Sequence, residues 1–295
     1  MVTFKLKVGF SLIIMELTAE QKHFPVTNPH PKYFSGVSPS EGIFGRLITG
    51  LLILTVLMAG AALGMQIADL QFGEQSTVLS LKSVVPPSDT PLFMVEGSPG
   101  ARYLRGAVGT VYDGTNWKLK KAEDHGQDLS VYSSKEPLAL RPVALAESHL
   151  DYDRDVLNQT LVVTDSQYRI LSDDISDRIK DLSLEITEDF KTPFEKAKAI
   201  EVFLKLNCTY YLGFEPAPSG WEPNDWFLFE SQEGICGNFA SAFVVLARAS
   251  ELPARLAVGY YVRSGEGEQM VYDSQAHAWA EVGFEGLGWL AFDAT

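Results

Sequence analysis

Cysteine is scarce: Cys208 and Cys236 are the two in 295 residues, so no disulfide framework holds this fold. Basic residues are also short. Lys and Arg number 24 against 38 Asp and Glu, a formal charge of −14, and no basic cluster offers a face to phosphates, which excludes nucleic acid as a partner. The five histidines are spread out, and His125, His149 and Cys208 show no ligand spacing with Cys236 and His277. A metal site wants three or four ligands, so no metal or other cofactor is expected. Apolar residues are plentiful at 46%, enough for two modest packed domains, and disorder is not the default.

Long uncharged runs are rare, and two segments bear on this. Lys5 and Lys7 precede Val8 to Met15, an apolar run of about eight residues, well short of the roughly 20 that span a bilayer; it reads as a remnant signal or as a stretch ahead of a start at Met15. Leu47 to Ala68 carries no charge over about 22 residues, or about 33 Å of helix. Its apolar side chains cover every face. Lys22, Lys32 and Arg46 lie before it, and Asp69 and Glu74 follow, so the positive-inside rule places the N-terminus in the cytoplasm. The expectation is a single-pass cell-membrane protein: a flexible cytoplasmic tail at 1–42, a transmembrane helix at 43–68, and the rest extracytoplasmic.

Beyond the run, prolines and glycines punctuate short alternating segments, which predicts a β-rich extracytoplasmic domain over 75–165. Asp113-Gly114 suits a tight hairpin turn, and Tyr112 and Trp117 fit cross-strand pairing and core packing, with a carbohydrate platform as the sharper alternative. Ile175, Ile179, Leu182, Ile186 and Phe190 recur at helical spacing. A second helix opens at Thr192-Pro193-Phe194-Glu195, a capping threonine, a first-turn proline and a glutamate at the third helical position. From Tyr210 to Phe229 an aromatic, proline-containing loop reads as the wall of a site or, equally, as a cover over the core.

The chemistry is concentrated at three places. In Gly234-Ile235-Cys236-Gly237-Asn238-Phe239 a cysteine stands where a loop becomes an amphipathic helix, and unpaired amides there favour a thiolate. Gly234 and Gly237 are expected to let a substrate backbone come close. Downstream, Ala276-His277-Ala278-Trp279-Ala280-Glu281-Val282 alternates like a strand, Gly286-Leu287-Gly288 reads as a turn, and Trp289 to Phe292 alternates again, so one hairpin can hold both His277 and Asp293. A thiol nucleophile needs an imidazole to move its proton, and the imidazole needs a carboxylate to orient it. For the oxyanion, the amide of Cys236 is the safer candidate donor and Gln232 the weaker one.

These segments, with Leu252-Pro253-Ala254-Arg255 between them, resemble the successive signatures of the transglutaminase-like superfamily of papain-like thiol enzymes, over roughly the last third of the chain. Residues 102–117 are similar to the region ahead of the catalytic domain in membrane-bound bacterial and archaeal members. The resemblance implies an α+β fold, with a papain-like/transglutaminase-like domain at 170–295 whose Cys-bearing helix packs on an antiparallel sheet. It implies Cys236 as nucleophile, His277 as base, Asp293 as orienting acid, and a protein or peptide substrate, with Trp226 and Trp279 as candidate substrate contacts. Ala294 stands where the family usually has proline, and the strand of Asp293 is expected to lack a neighbour beyond it, which would leave the carboxylate loosely held. Two readings follow. One is a thiol acyltransferase or hydrolase working on amide bonds through a thioester. The other is a catalytically silent binding or assembly module of the same fold.

Overall fold

The computed structural model describes residues 3–8, 11–16, 77–82, 88–97, 102–122, 131–132, 144–263 and 267–295. The chain divides into two units, Met1–Ile67 and Ala68–Thr295. In the first, the described part is a hairpin in which Thr3–Val8 (β1) pairs antiparallel with Ser11–Glu16 (β2), where the sequence suggests a remnant signal. The expected membrane helix at 43–68 lies outside the described residues. Among those residues no helix is long and apolar enough to cross a membrane.

The second unit begins with strands Thr77–Ser80 (β3), Pro91–Gly97 (β4), Arg102–Tyr112 (β5), Asn116–Lys121 (β6), Val131–Tyr132 (β7) and Ala144–Ser148 (β8). Helices Arg154–Gln159 (α1), Asp177–Thr187 (α2) and Pro193–Asn207 (α3) follow. Then come Thr209–Tyr210 (β9), Pro223–Trp226 (α4), Glu233–Gly234 (β10) and Cys236–Ala249 (α5). Ala254–Val262 (β11), Gly267–Tyr272 (β12), Ala276–Phe284 (β13) and Gly288–Phe292 (β14) close the chain.

The main sheet runs β11-β13-β14-β8-β5-β6-β3 among the described residues, and β11 also pairs with β5. That extra pairing closes β5, β11, β13, β14 and β8 into a ring. Strands expected in a separate 75–165 domain therefore share one sheet with strands expected in the 170–295 domain, and both belong to the unit Ala68–Thr295. The reason lies in β5, which is long enough to pair with β11 along one edge and with β8 and then β6 along the other. Where β5 and β11 cross, a methyl group at Gly259 would collide with the Leu104 carbonyl oxygen, so glycine is required for the approach.

Local signals explain most of the elements. Asp113 Oδ1 accepts from the backbone N–H groups of Thr115 at 3.1 Å and Asn116 at 2.8 Å, which fixes the β5–β6 turn. Gly286 and Gly288 adopt φ of 74° and 78° in the β13–β14 hairpin, a region that favours glycine. At the start of α3, Thr192 and Glu195 cap each other's backbone groups and Pro193 occupies the first turn.

Helix α5 departs from the expected amphipathic pattern, because every residue from Gly237 to Arg248 is buried. It is wrapped on all sides. Ser183 of α2 donates to the Leu246 carbonyl at 2.7 Å, and the indole of Trp117 on β6 donates to Ser241 Oγ at 2.8 Å. Trp117 is fully buried beside Tyr112, so both aromatics serve the core and offer no sugar platform. Phe243, Val244 and Leu246 have no exposed surface, and burial of each stabilises the fold by about 1.5–3 kcal/mol. The nucleophile candidate thus stands at the tip of a helix buried along nearly its whole length.

Candidate active site

Strand β13 sends its residues alternately to two sides. Ala278, Ala280, Val282 and Phe284 join the core around α5, whereas His277, Trp279 and Glu281 face the inside of the ring with Tyr103 and Arg105 of β5, Arg255 of β11 and Ala291 of β14. The deep end of the ring is ionic. Glu281, fully buried, pairs with Arg105 and with Arg255, both at 2.7 Å, and accepts from the indole of Trp279 at 3.2 Å. Burial works against the Glu281 carboxylate, but the two guanidinium groups outweigh it and hold its pKa below the usual range.

At the shallow end lie the three residues singled out for chemistry. Nε2 of His277 is 2.8 Å from Oδ2 of Asp293, and Cys236 lies close enough to act on the same imidazole. Burial pulls the imidazole down, but hydrogen bonds and attraction from Asp293 and Cys236 prevail and push it up to about 10. Burial likewise opposes ionisation of Asp293, yet His277 and Thr295 hold its pKa low. Oδ1 of Asp293 accepts from Thr295 N at 3.1 Å and Thr295 Oγ1 at 2.8 Å, and Oδ2 accepts from the Tyr103 hydroxyl at 3.0 Å. The carboxylate is saturated with donors.

Its strand is also held on both edges, contrary to the expected missing neighbour. Strand β14 pairs antiparallel with β13 and parallel with β8, with Leu290 opposite Glu147 and Ala291 opposite Ser148. Just after β8, His149 is buried, stacks on Phe292 at 4.5 Å and places Nδ1 2.9 Å from the Ala291 carbonyl. Burial pulls its pKa down. In that state it latches the end of β14 without bringing a charge.

The approach to Cys236 is set by the residues ahead of it. Gln232 takes a left-handed turn with φ 51°, its carbonyl accepts from Thr209 N at 2.8 Å, and β10 pairs parallel with β9. A Cβ at Gly234 would lie 2.8 Å from Asn238 Cβ and 2.9 Å from Phe227, so Gly234 answers to packing. Gly237 is buried, but a Cβ there would make ordinary contacts with Leu79 at 3.9 Å and Leu81 at 4.0 Å. Asn238 accepts from Ile235 N at 3.1 Å and donates to the Leu81 carbonyl at 3.3 Å, tying this turn to β3.

Burial and the nearness of Cys236 and Asp293 push the Tyr210 phenol up, while the Cys236 backbone acts against them. The second cysteine, Cys208, is a free thiol like Cys236, and burial pushes it up to about 12.

Of the two expected substrate contacts, Trp279 is buried inside the ring against Tyr103 and stacked on His277. It supports the imidazole and has no surface for a ligand. Trp226 packs edge-on against Trp221 at 5.4 Å, and its indole donates to the Glu215 carbonyl at 3.3 Å. Nearby on the same loop, Tyr210, Tyr211, Leu212 and Trp221 are all exposed. Among the described residues no group of three or more His, Cys, Asp or Glu could hold a metal ion.

The Transglutaminase-like superfamily model matches residues 180–294, so this part of the chain carries a transglutaminase-like domain. Two curated relatives align with the chain. One is the uncharacterized protein YebA of Bacillus subtilis, 37% identical over 138 residues, which covers 44% of this chain and 19% of the relative. The other is a protein-glutamine gamma-glutamyltransferase of Pseudomonas aeruginosa, 35% identical over 86 residues, covering 28% of this chain and 13% of the relative. The chain thus spans under a fifth of the length of either. Among solved structures, the periplasmic domain of TgpA from Pseudomonas aeruginosa superposes with a TM-score of 0.51 at 18% identity, over 75% of this chain and 94% of that one. The shared fold therefore reaches well upstream of residue 180.

Proposed function

We propose that the protein is a thiol enzyme that acts on amide bonds of a protein or peptide through Cys236, His277 and Asp293. The observation that carries this reading is one imidazole held by Asp293 at 2.8 Å, with Cys236 acting on it from the tip of a buried helix. The sulfur of Cys236 attacks the amide carbonyl carbon, the carbonyl electrons move to oxygen, and the Cys236 amide donates to that oxygen. Collapse expels the amine, which leaves with a proton from His277 and generates a thioester. A primary amine then attacks to give a new amide, or water attacks to give an acid, and in either case the thiol is restored. The relative named as a glutamyltransferase supports glutamine as the acyl donor. The exposed Tyr210, Tyr211, Leu212 and Trp221, with Trp226, supply the wall against which an extended peptide would lie. We also propose that the run at 47–68 anchors the chain in the cell membrane with the enzyme outside the cytoplasm.

Iodoacetamide labelling near pH 6 tests the thiol: Cys236 is expected to react rapidly and Cys208 slowly. His277→Ala should slow labelling most, and Asp293→Ala less. A glutamine-containing peptide offered with and without a primary amine then separates crosslinked product from free acid. Slow labelling of Cys236, unaffected by His277→Ala, would remove the enzyme reading in favour of a binding module.

A further inference from the structure

Tyr103 lies on β5, upstream of the segment matched by the family model, yet its side chain reaches the His277 and Asp293 pair. Its backbone is gripped on both edges, opposite Tyr261 of β11 and Ala146 of β8. The ring packs against Tyr261 and Trp279, each at 5.1 Å, and stacks over His277 at 6.2 Å. With the ring so clamped, the hydroxyl has a fixed position, 3.0 Å from Oδ2 of Asp293. This is the oxygen that also receives His277 Nε2.

We propose that Tyr103 is a positioning residue: its hydroxyl donates to Oδ2 of Asp293 and fixes the carboxylate in the plane from which it orients His277. The proposal rests on the thiol-enzyme reading of the site. A carboxylate on a rotatable side chain otherwise has two equivalent oxygens to offer. Thr295 secures Oδ1 from one side, and Tyr103 secures Oδ2 from the other. Each hydrogen bond also favours the ionised carboxylate over the acid, so the pair keeps its charge as the pH falls. Tyr103 remains a donor throughout, because burial and the neighbouring Asp293 both raise its own pKa. Other groups face the pair: Tyr261 from β11, Tyr210 from β9, Cys236 from α5 and, towards Tyr103, Glu201 from α3. None of the acidic ones among them favours an ionised Asp293, which leaves that work to Tyr103, Thr295 and His277.

The test is Tyr103→Phe in the full chain, alone and combined with Asp293→Asn, with circular dichroism melts to compare folding. Two quantities are read across pH 3–9. One is the rate at which iodoacetamide labels Cys236; the other is the carbon-13 shift of the Asp293 carboxyl. Tyr103→Phe should raise the protonation midpoint of Asp293 by about one pH unit and slow labelling near pH 5 by about tenfold, the worth of a hydrogen bond to a charged group. In the Asp293→Asn background the same change should have little further effect on labelling. An unshifted Asp293 midpoint would overturn the proposal, as would an equal loss of labelling rate in both backgrounds, and so would a Phe variant without a cooperative melt, since the hydroxyl would then serve folding. Slow wild-type labelling would instead sink the enzyme reading, while the carboxyl midpoint would still decide whether Tyr103 holds Asp293.

Discussion

The strands before residue 150 and the segment after residue 180 make different contributions to one ring. The later segment supplies Cys236, His277 and Asp293, every group assigned a bond-making or proton-moving role. The earlier strands supply the second wall: Arg105 pairs with Glu281, Tyr103 holds Asp293, and β8 with His149 flanks the strand that carries it. Arg248 shows the dependence from the other side, since its buried guanidinium binds the carbonyls of Ala254 at 2.9 Å, Ile170 at 2.7 Å and Thr110 at 2.9 Å. Reactive groups can be confined to one stretch of sequence while the geometry that aligns them is spread over two. The segment matched by the family model therefore supplies part of the ring, and the structural unit extends further.

The strongest way to break this comparison is to express residues 180–295 alone. Without β5 and β8, both β11 and β14 lose a partner strand, and α5 loses Trp117. The fragment is expected to show no cooperative thermal transition by circular dichroism, and a sharp melt would show that the upstream strands are dispensable. Next in size is Arg105→Leu, which leaves buried Glu281 with Arg255 as its remaining guanidinium partner. Loss of one partner from a buried ionic group typically costs about 3–5 kcal/mol, readable as a lowered urea midpoint with unchanged slope.

The pair at the mouth of the ring predicts a pH signature. His277 is raised from 6.5 to about 10, so the folded state holds a proton that the unfolded chain releases. Its stabilisation is full below about 6.5, declines as pH rises, and is gone above about 10. Asp293 is lowered from 3.8, so its contribution is present above that value and is lost as pH falls through the depressed one. Stability from the pair should therefore be greatest at mildly acidic pH. Denaturant unfolding at pH 5, 7 and 9 should show the alkaline decline in the wild type and a flatter profile in Asp293→Asn. The smallest effect expected is that of His149→Leu, which removes the hydrogen bond to the Ala291 carbonyl and should cost about 1 kcal/mol with modest slowing of Cys236 labelling.

Most of what is local was legible in the sequence. The cap at Thr192 and Glu195, the turn at Asp113-Gly114 and the glycines of the last hairpin are written in residue types with their own backbone preferences. The spacing of Cys236, His277 and Asp293 was legible because a thiol, a base and a carboxylate are needed in combination. The period-2 pattern of β13 also carries the place of Trp279: His277 and Trp279 must share a face, so a histidine at the mouth of the ring puts the tryptophan one layer inside it. The junction of β5 with β11 and β8 was not legible, because ladder hydrogen bonds join backbone groups that every residue has. The roles of Tyr103 and His149 were not legible for the same reason, since they exist once distant strands are neighbours. Gly234 sits in a motif near the thiol, yet what fixes it is the crowding of Asn238 and Phe227.

The ring closure also bears on how the chain acquires its structure during synthesis. Strand β5 leaves the ribosome well before β11 and β14 exist, so one edge and part of the other wait without their final partners while more than a hundred further residues are made. Long-range pairing of this kind is slow to form, and an unfinished sheet edge is prone to join the wrong chain. Nascent chains stalled between β8 and β11 should consequently be the aggregation-prone species, and release of the last hairpin should be the event that ends their vulnerability.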